Sequence, residues 1–317
     1  MKRLLVAVIA CCAMVVAAHA QQTRLTIGTG GTGGVWYPMG GAMANVLSKS
    51  LPNTAVTAEV TGGSVDNIKL LATGRNDVGF SMVDTAWEAM SGAGKFKDKV
   101  PMRTLAVVHP LVMHVVTLEG RGIEKMSDLK GKRVSTGSPG SGTEVMAVRI
   151  LEAYGIDYQK DIRQERLSVT EAANALKDRK IDAFLHAAGV PLPAVTDVAA
   201  TPGIKVKLLD HADAVEAMSK KYGPIYARGR IPAKTYGGQD RENATANVWG
   251  VLYVNENMNE KLAYDIVRTL FEKQPDLVLA HRESANMTLE NQTIGASPVP
   301  WHPGALRYFK EKGIAPR

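Results

Sequence analysis

The chain has 317 residues, of which 45% are hydrophobic, 22% charged and 6% aromatic, with a formal charge of +7. Its basic residues are dispersed, as in Lys95, Lys97, Lys99 and Lys130, Lys132, Arg133, and only Phe96 stands among them. Without a basic stripe interleaved with aromatics, nucleic acid is excluded as an expected partner. Both cysteines, Cys11 and Cys12, lie close to the start, so no disulfide framework, thiolate nucleophile or cysteine metal site is expected beyond them.

Lys2 and Arg3 open the chain, Leu4 to Ala18 is apolar throughout, and Ala18-His19-Ala20 has the small-x-small form of a cleavage site. This reads as a secretory signal peptide over residues 1–20, cleaved after Ala20. The run is too short for a membrane span. A weak lipoprotein-box pattern at Val8 to Cys11 competes with that reading. The expected location is the periplasm. The roughly 300 residues that follow are ample for a buried core and are expected to split into two lobes.

The strand Leu25 to Ile27 runs into Gly28 to Gly34, GTGGTGG, and then a helix over VWYPMGGAMANVLSK. Five glycines in seven residues let a ligand reach backbone N–H groups at the positive end of a helix, so Gly31, Thr32, Gly33 and Gly34 are candidates for holding a small anion. Gly28 to Gly33 also matches GxGxxG, which suits a dinucleotide. The acidic partner that such a site needs is Glu59, too far along the chain for the usual spacing. A plain tight turn is the third reading. Trp36 and Tyr37 at the helix start either wall a pocket or pack between helix and sheet.

Alternating strands and helices then predict an α/β fold. Ala55 to Val60 reads as a strand. Ser64 to Gly74 reads as a helix capped by Ser64, with Val65, Ile68, Leu71 and Ala72 on one face. Asp77 to Met82 is the next strand, and Ser81 and Asp84 flank its end, a frequent cleft position. Asp84 is alternatively the cap of the following helix. Thr104 to Leu118 is a long β-rich run broken by Pro110, a candidate crossing between lobes.

Lys132 to Thr136 reads as a strand, followed by a second small-residue loop, GSPGSGTE (Gly137 to Glu144), and a helix from Val145 to Tyr154. Ser138, Ser141, Gly142 and Thr143 there either receive a carboxylate or only cap the helix. Ala172 to Arg179 is a helix, Ile181 to Leu185 a strand, and Gly189 sits in the loop beyond it. Thr235 to Asn247 reads as loop, Val248 to Val254 as strand, and Leu262 to Glu272 as helix. A proline-rich tail with His302, read as structural, leads into a last helix.

Catalytic arrangements are missing: there is no HExxH, no GxSxG elbow and no GxxxxGK[ST]. No enzyme activity, cofactor or metal is expected.

Five blocks in order, IGTGGTGGVWYPMGGAMA, TGGSVDNIKLLATGRNDVGF, DLKGKRVSTGSPGSGTE, LKDRKIDAFLHAAGVPLPAV and PWHPGALRYFKEKG, give the chain a resemblance to the TAXI-type solute receptors of tripartite ATP-independent periplasmic (TRAP) transporters. The resemblance implies a two-lobed periplasmic-binding-protein type II fold with the ligand between the lobes. Lobe I would comprise 21–107 plus about 225–317, and lobe II about 108–224. It implies capture of a small organic anion, a C4–C5 dicarboxylate or glutamate-like acid, for a TRAP-type membrane permease. It also implies ligand contacts at the GTGG loop with Tyr37, at Met82 to Asp84, at Ser138 through Thr143, and at Gly189. Where that family usually has glutamine, this chain has Met82, a poor hydrogen-bond acceptor, which suggests a less polar acid. Two other readings stand beside this one: an exported nucleotide-dependent oxidoreductase, and a ligand-sensing periplasmic subunit of a signalling system.

Overall fold

The computed structural model describes residues 22–316, so the predicted signal segment lies outside the described residues. In chain order the strands are β1 (Thr23–Gly28), β2 (Thr54–Glu59), β3 (Val78–Met82), β4 (Met102–Leu118), β5 (Arg133–Ser135), β6 (Arg163–Glu165), β7 (Ala183–Ala188), β8 (Val206–Leu208), β9 (Ala227–Ile231) and β10 (Asn243–Asn255). The helices are α1 (Trp36–Ser50), α2 (Ser64–Ala72), α3 (Val83–Ser91), α4 (Gly142–Ala153), α5 (Val169–Lys177), α6 (Pro193–Ala200), α7 (Ala214–Tyr222), α8 (Glu260–Glu272), α9 (Gln274–Ala280) and α10 (Pro303–Glu311).

One sheet runs through the molecule in the order β2-β1-β3-β10-β4-β7-β5-β6, with β8 on β4 and β9 on β10. It is parallel at both ends: β1 lies parallel to β2 and β3, and β5 lies parallel to β6 and β7. The antiparallel centre joins them, with β10 against β3 and β4, and β4 against β7. Each flank is therefore a β-α-β unit of its own, and β4 and β10 are shared.

β4 shows why the proline break predicted at Pro110 does not occur. The strand is continuous from Met102 to Leu118, and Pro110 faces Trp249 of β10 in register. Its other neighbour, β7, ends opposite Val112 and does not reach Pro110, so no ladder bond is lost at a position without an N–H. A bulge between Val107 and His109 bends the strand there.

Other details differ from expectation at β10, Ala72 and Ser64, while His302 is structural as expected. β10 begins at Asn243 inside the stretch read as loop, because pairing with β9 from Asn243 to Asn247 overrides its polar sequence. Ala72 is exposed, and Val65, Ile68 and Leu71 are the apolar residues of the buried face of α2, beside the buried Ser64 and Asn67. Ser64 does not cap α2; its Oγ accepts the Met82 N–H at 3.1 Å and ties the helix to the end of β3. His302 is the side-chain cap of α10, accepting from the Gly304 N–H at 3.1 Å.

Candidate functional site

In parallel α/β sheets, ligand crevices form beyond the carboxyl ends of the strands. Here two sets of such ends, those of β1, β2 and β3 and those of β5, β6 and β7, meet around a cleft of about 420 Å³, within the range of small-molecule sites. His109 and Leu111 of β4 also line it.

Four helices start at this cleft: α1 at Trp36, α2 at Ser64, α4 at Gly142 and α5 at Val169. Each presents the positive end of its dipole. The N–H groups at the start of α2 are engaged, Val65 and Asp66 both donating to Gly140 O at 3.1 Å. At α4, Ser141 Oγ accepts the Glu144 N–H at 3.0 Å. At α5, Ser168 and Glu171 form a reciprocal capping box. The N–H groups of Trp36 and Tyr37, of Gly142 and Thr143, and of Val169 and Thr170 have no protein acceptor among the described residues.

No lysine or arginine lines the cleft, and Glu171 is its sole carboxylate. Positive potential therefore comes from backbone dipoles. Two histidines complete the wall. Burial lowers His109 to about 4, with the Pro110 carbonyl acting against that shift and His281 adding to it. Its Nε2 is 3.1 Å from the Trp36 indole N–H and accepts it, while Nδ1 lies 2.8 Å from Pro110 O and donates. His109 thus fixes the Trp36 ring, which stacks on Phe80 at 5.4 Å. Burial also lowers His186 to about 4, and no protein group bonds either of its ring nitrogens among the described residues. Beside it in register, His114 is lowered to about 3 and is spoken for by Tyr236 at 2.7 Å.

Eight of the residues singled out in the sequence come together here. Gly31, Thr32 and Gly34 line the cleft from the first loop, Met82 from the end of β3, and Ser138, Ser141, Gly142 and Thr143 from the second loop. Thr143 Oγ1 also accepts the Ala187 N–H at 3.2 Å, holding α4 to β7.

Five lie elsewhere. Gly33 packs under α5: a Cβ there would stand 2.4 Å from Thr170 Oγ1. Tyr37 turns outward and is 37% exposed, and its neighbour Trp36 takes the wall position. Ser81 is fully buried and bonds Met82 O, because alternation along β3 sends successive side chains to opposite faces. Asp84 does not line the cleft; its Oδ1 accepts the Thr85 N–H at 2.7 Å in the first turn of α3, and its Oδ2 forms a buried ion pair with Arg149. Gly189 is covered by Glu283, whose Oε1 accepts the Val190 N–H at 3.1 Å. Glu59, the acid considered for a ribose, is exposed at the end of β2 beside Gly28 and does not line the cleft.

Sequence reasoning missed His186, His109 and the Thr61-Gly62-Gly63 turn. His186 was within reach of the same strand-end rule that pointed to Ser81, since it stands two residues before the end of β7. Among the described residues, no group of three His, Cys, Asp or Glu is placed to hold a metal ion, and no helix is long and apolar enough to cross a membrane.

The chain belongs to the NMT1-like family, whose model matches residues 27–313. Its structure is similar to that of a candidate L-cystine ABC transporter from Listeria monocytogenes, at 18% identity and a TM-score of 0.52 over 84% of this chain and 95% of the other. It is also similar to a Xanthomonas citri protein bound to ATP, at 11% identity and a TM-score of 0.51 over 91% and 95%. The periplasmic aliphatic sulphonate-binding protein of Escherichia coli aligns at 14% identity and a TM-score of 0.47 over 93% and 84%. The fold is the two-lobed α/β fold of type II periplasmic binding proteins, as the resemblance implied.

Proposed function

We propose that this chain is an exported solute receptor that captures a small organic anion, of the size of a C4–C5 dicarboxylate or glutamate, and delivers it to a membrane uptake permease. The observation that carries the reading is the convergence of four helix N-termini on one cleft that has no side-chain cation. Such a site favours negative charge and binds it through N–H and hydroxyl groups.

The magnitudes are consistent with reversible capture. A partly buried helix terminus contributes up to ~2 kcal/mol, so the three termini with open N–H groups supply roughly 6 kcal/mol at most. Micromolar affinity needs about −8 kcal/mol. Hydrogen bonds from Thr32, Ser138 and Thr143, strengthened as closure removes water, provide the remainder.

In this reading, lobe I is 21–107 with about 225–317, lobe II is about 108–224, and β4 and β10 carry the hinge between them. Closure around the ligand is what the permease recognises. A TRAP-type, ion-driven permease is proposed as the partner on the strength of the five sequence blocks; the ABC assignment of the Listeria relative belongs to that protein.

The test is thermal unfolding of protein that has first been unfolded and refolded to strip copurified ligand, against a panel of small acids. A true ligand at 100-fold over its dissociation constant adds about 2.7 kcal/mol, a shift of several degrees. A panel of C3–C6 mono- and dicarboxylates that moves the transition nowhere overturns the proposal.

A further inference from the structure

The ligand's charge pattern can be read more finely from the same cleft. We infer that the ligand is an organic acid with no ammonium group, that His186 is the side chain that bonds its polar atoms, and that amino acids of matching length are rejected. This inference rests on the solute-receptor reading above.

An ammonium brings three donors and a positive charge. Enclosed in a cleft, it needs a carboxylate, because a buried charge without a partner is costly. The cleft offers one, Glu171, which is exposed at the start of α5 and already accepts the Ser168 N–H on Oε2 at 2.9 Å in the capping box. The carboxylates just outside are engaged with protein groups. Asp66 accepts the Gly62 N–H at 3.1 Å and packs against Gly140. Glu144 is paired with Arg166 at 2.7 Å and lies 3.6 Å from Lys95. Asp84 and Glu88 are both held by Arg149. Four positive helix ends point at the same space and repel an ammonium as they attract a carboxylate.

His186 supplies the other half of the argument. It projects from β7 toward the first glycine loop, with Nε2 4.0 Å from where a Cβ on Gly34 would stand. A neutral imidazole offers one donor and one acceptor, and here both are free of protein partners among the described residues. That pairing suits a carboxylate, hydroxyl or carbonyl oxygen. Toward an ammonium it provides one lone pair for three donors and no charge. The contrast with His109 is informative: that ring, equally neutral, has both nitrogens committed to Trp36 and Pro110.

The experiment is calorimetric titration of the refolded full chain with matched pairs: succinate against aspartate, and glutarate and 2-oxoglutarate against glutamate. Within the pair that binds, the acid is expected to bind at least tenfold tighter than its amino counterpart. His186→Ala is expected to weaken that acid tenfold or more, and His186→Gln, which keeps a donor and an acceptor, to retain most of the affinity. Equal or tighter binding of the amino acid overturns the inference. Acid preference that His186→Ala leaves unchanged overturns the role of His186. Should His186→Ala not fold, the matched pairs on the unaltered chain decide the ligand class and His186→Gln against His186→Phe decides the residue. Binding of neither member of any pair overturns the receptor reading for acids of this size, and this inference with it.

Discussion

Arg149 of α4 and Asp84 of α3 pair at 3.2 Å with side chains 6% and 0% exposed, although their helices follow strands on opposite flanks of the central β4 and β10. Tyr226 completes the contact: its hydroxyl lies 2.5 Å from the guanidinium and donates to Asp84 Oδ2 at 2.8 Å. Glu88 takes the other guanidinium nitrogen, and the Tyr222 ring lies 4.3 Å from the guanidinium carbon. Burial opposes the charge on Arg149, but Asp84, Tyr226 and Glu88 more than offset it and hold the guanidinium ionised. The network does not line the cleft and joins α3 of one flank to α4 of the other.

Replacing Arg149 with Met leaves two carboxylates buried without a cation. The expected loss is about 3–5 kcal/mol, the range for breaking a buried pair by removing one partner. Arg149→Lys recovers little of it, since one ammonium cannot bond Asp84, Glu88 and Tyr226 from a planar fork. Urea unfolding of both variants checks this. A loss below about 1 kcal/mol for Arg149→Met would show that the network carries no net stability.

The small-residue loops serve as contact surfaces between the flanks as well as a lining, and Gly142 is the sharpest case. A Cβ there would stand 2.4 Å from Ser64 Oγ and 2.6 Å from Met82 Sδ. Gly142 opens α4 with helical geometry, so alanine at this position would ordinarily gain some helix stability, up to about 1 kcal/mol. Gly142→Ala is therefore expected to separate the two effects: α4 keeps or gains stability, while the cleft is held apart. Small-angle scattering should show a larger radius of gyration with ligand than the unaltered chain, and affinity should fall tenfold or more. Unchanged compaction and affinity would mean that Met82 simply moves aside.

The fold was legible because periodicity and small-residue punctuation are local properties. The strand–GTGGTGG–helix and strand–GSPGSG–helix units, and the helices α1 and α8, all stand where the pattern places them. The cleft was half legible for the same reason: strand ends and helix starts are readable, and these carry Gly31, Gly34, Ser141 and Thr143. The rest needed knowledge of partners distant in sequence. Asp84 looks like a cleft residue until Arg149, 65 residues on, is placed against it. Gly189 looks open until Glu283, 93 residues beyond its neighbour Val190, covers it. Tyr37 and Trp36 are adjacent, and it is Trp36 that the distant His109 acceptor holds at the cleft wall.

Thr143 has a structural duty separable from any ligand. Its Oγ1 accepts the buried Ala187 N–H at 3.2 Å, and the side chain is almost fully buried. Thr143→Val keeps the shape and leaves that donor unpaired, a cost of about 1–3 kcal/mol. Thr143→Ser keeps the acceptor and loses only a methyl group, so it is expected to cost less. Equilibrium unfolding separates them, and a larger loss for Thr143→Ser than for Thr143→Val would place the methyl packing, and not the hydrogen bond, as the dominant contribution.

Acid should loosen the molecule through its buried histidines. His109, His186 and His211 are each lowered from 6.5 to about 4 and His114 to about 3, in every case with burial as the largest cause. A histidine lowered on folding binds protons better when unfolded. Its contribution is therefore complete above pH 6.5 and is lost as pH falls toward 4. For His109 the loss at the acid limit is on the order of 3 kcal/mol, about 1.4 kcal/mol for each unit. Protonation there also puts an N–H where the Trp36 indole N–H must donate, so the change is visible at one chromophore. Glu88 and Glu283, whose carboxyls burial raises, act in the opposite sense and soften the slope. The melting temperature is expected to fall steadily from pH 6.5 to pH 4, with a shift in tryptophan emission over the same range. His109→Gln, which keeps an acceptor for Trp36 and cannot titrate, is expected to make that limb shallower by the His109 share and remove most of the emission change. A limb of unaltered slope in His109→Gln would assign the acid sensitivity to the other buried histidines, His114 first.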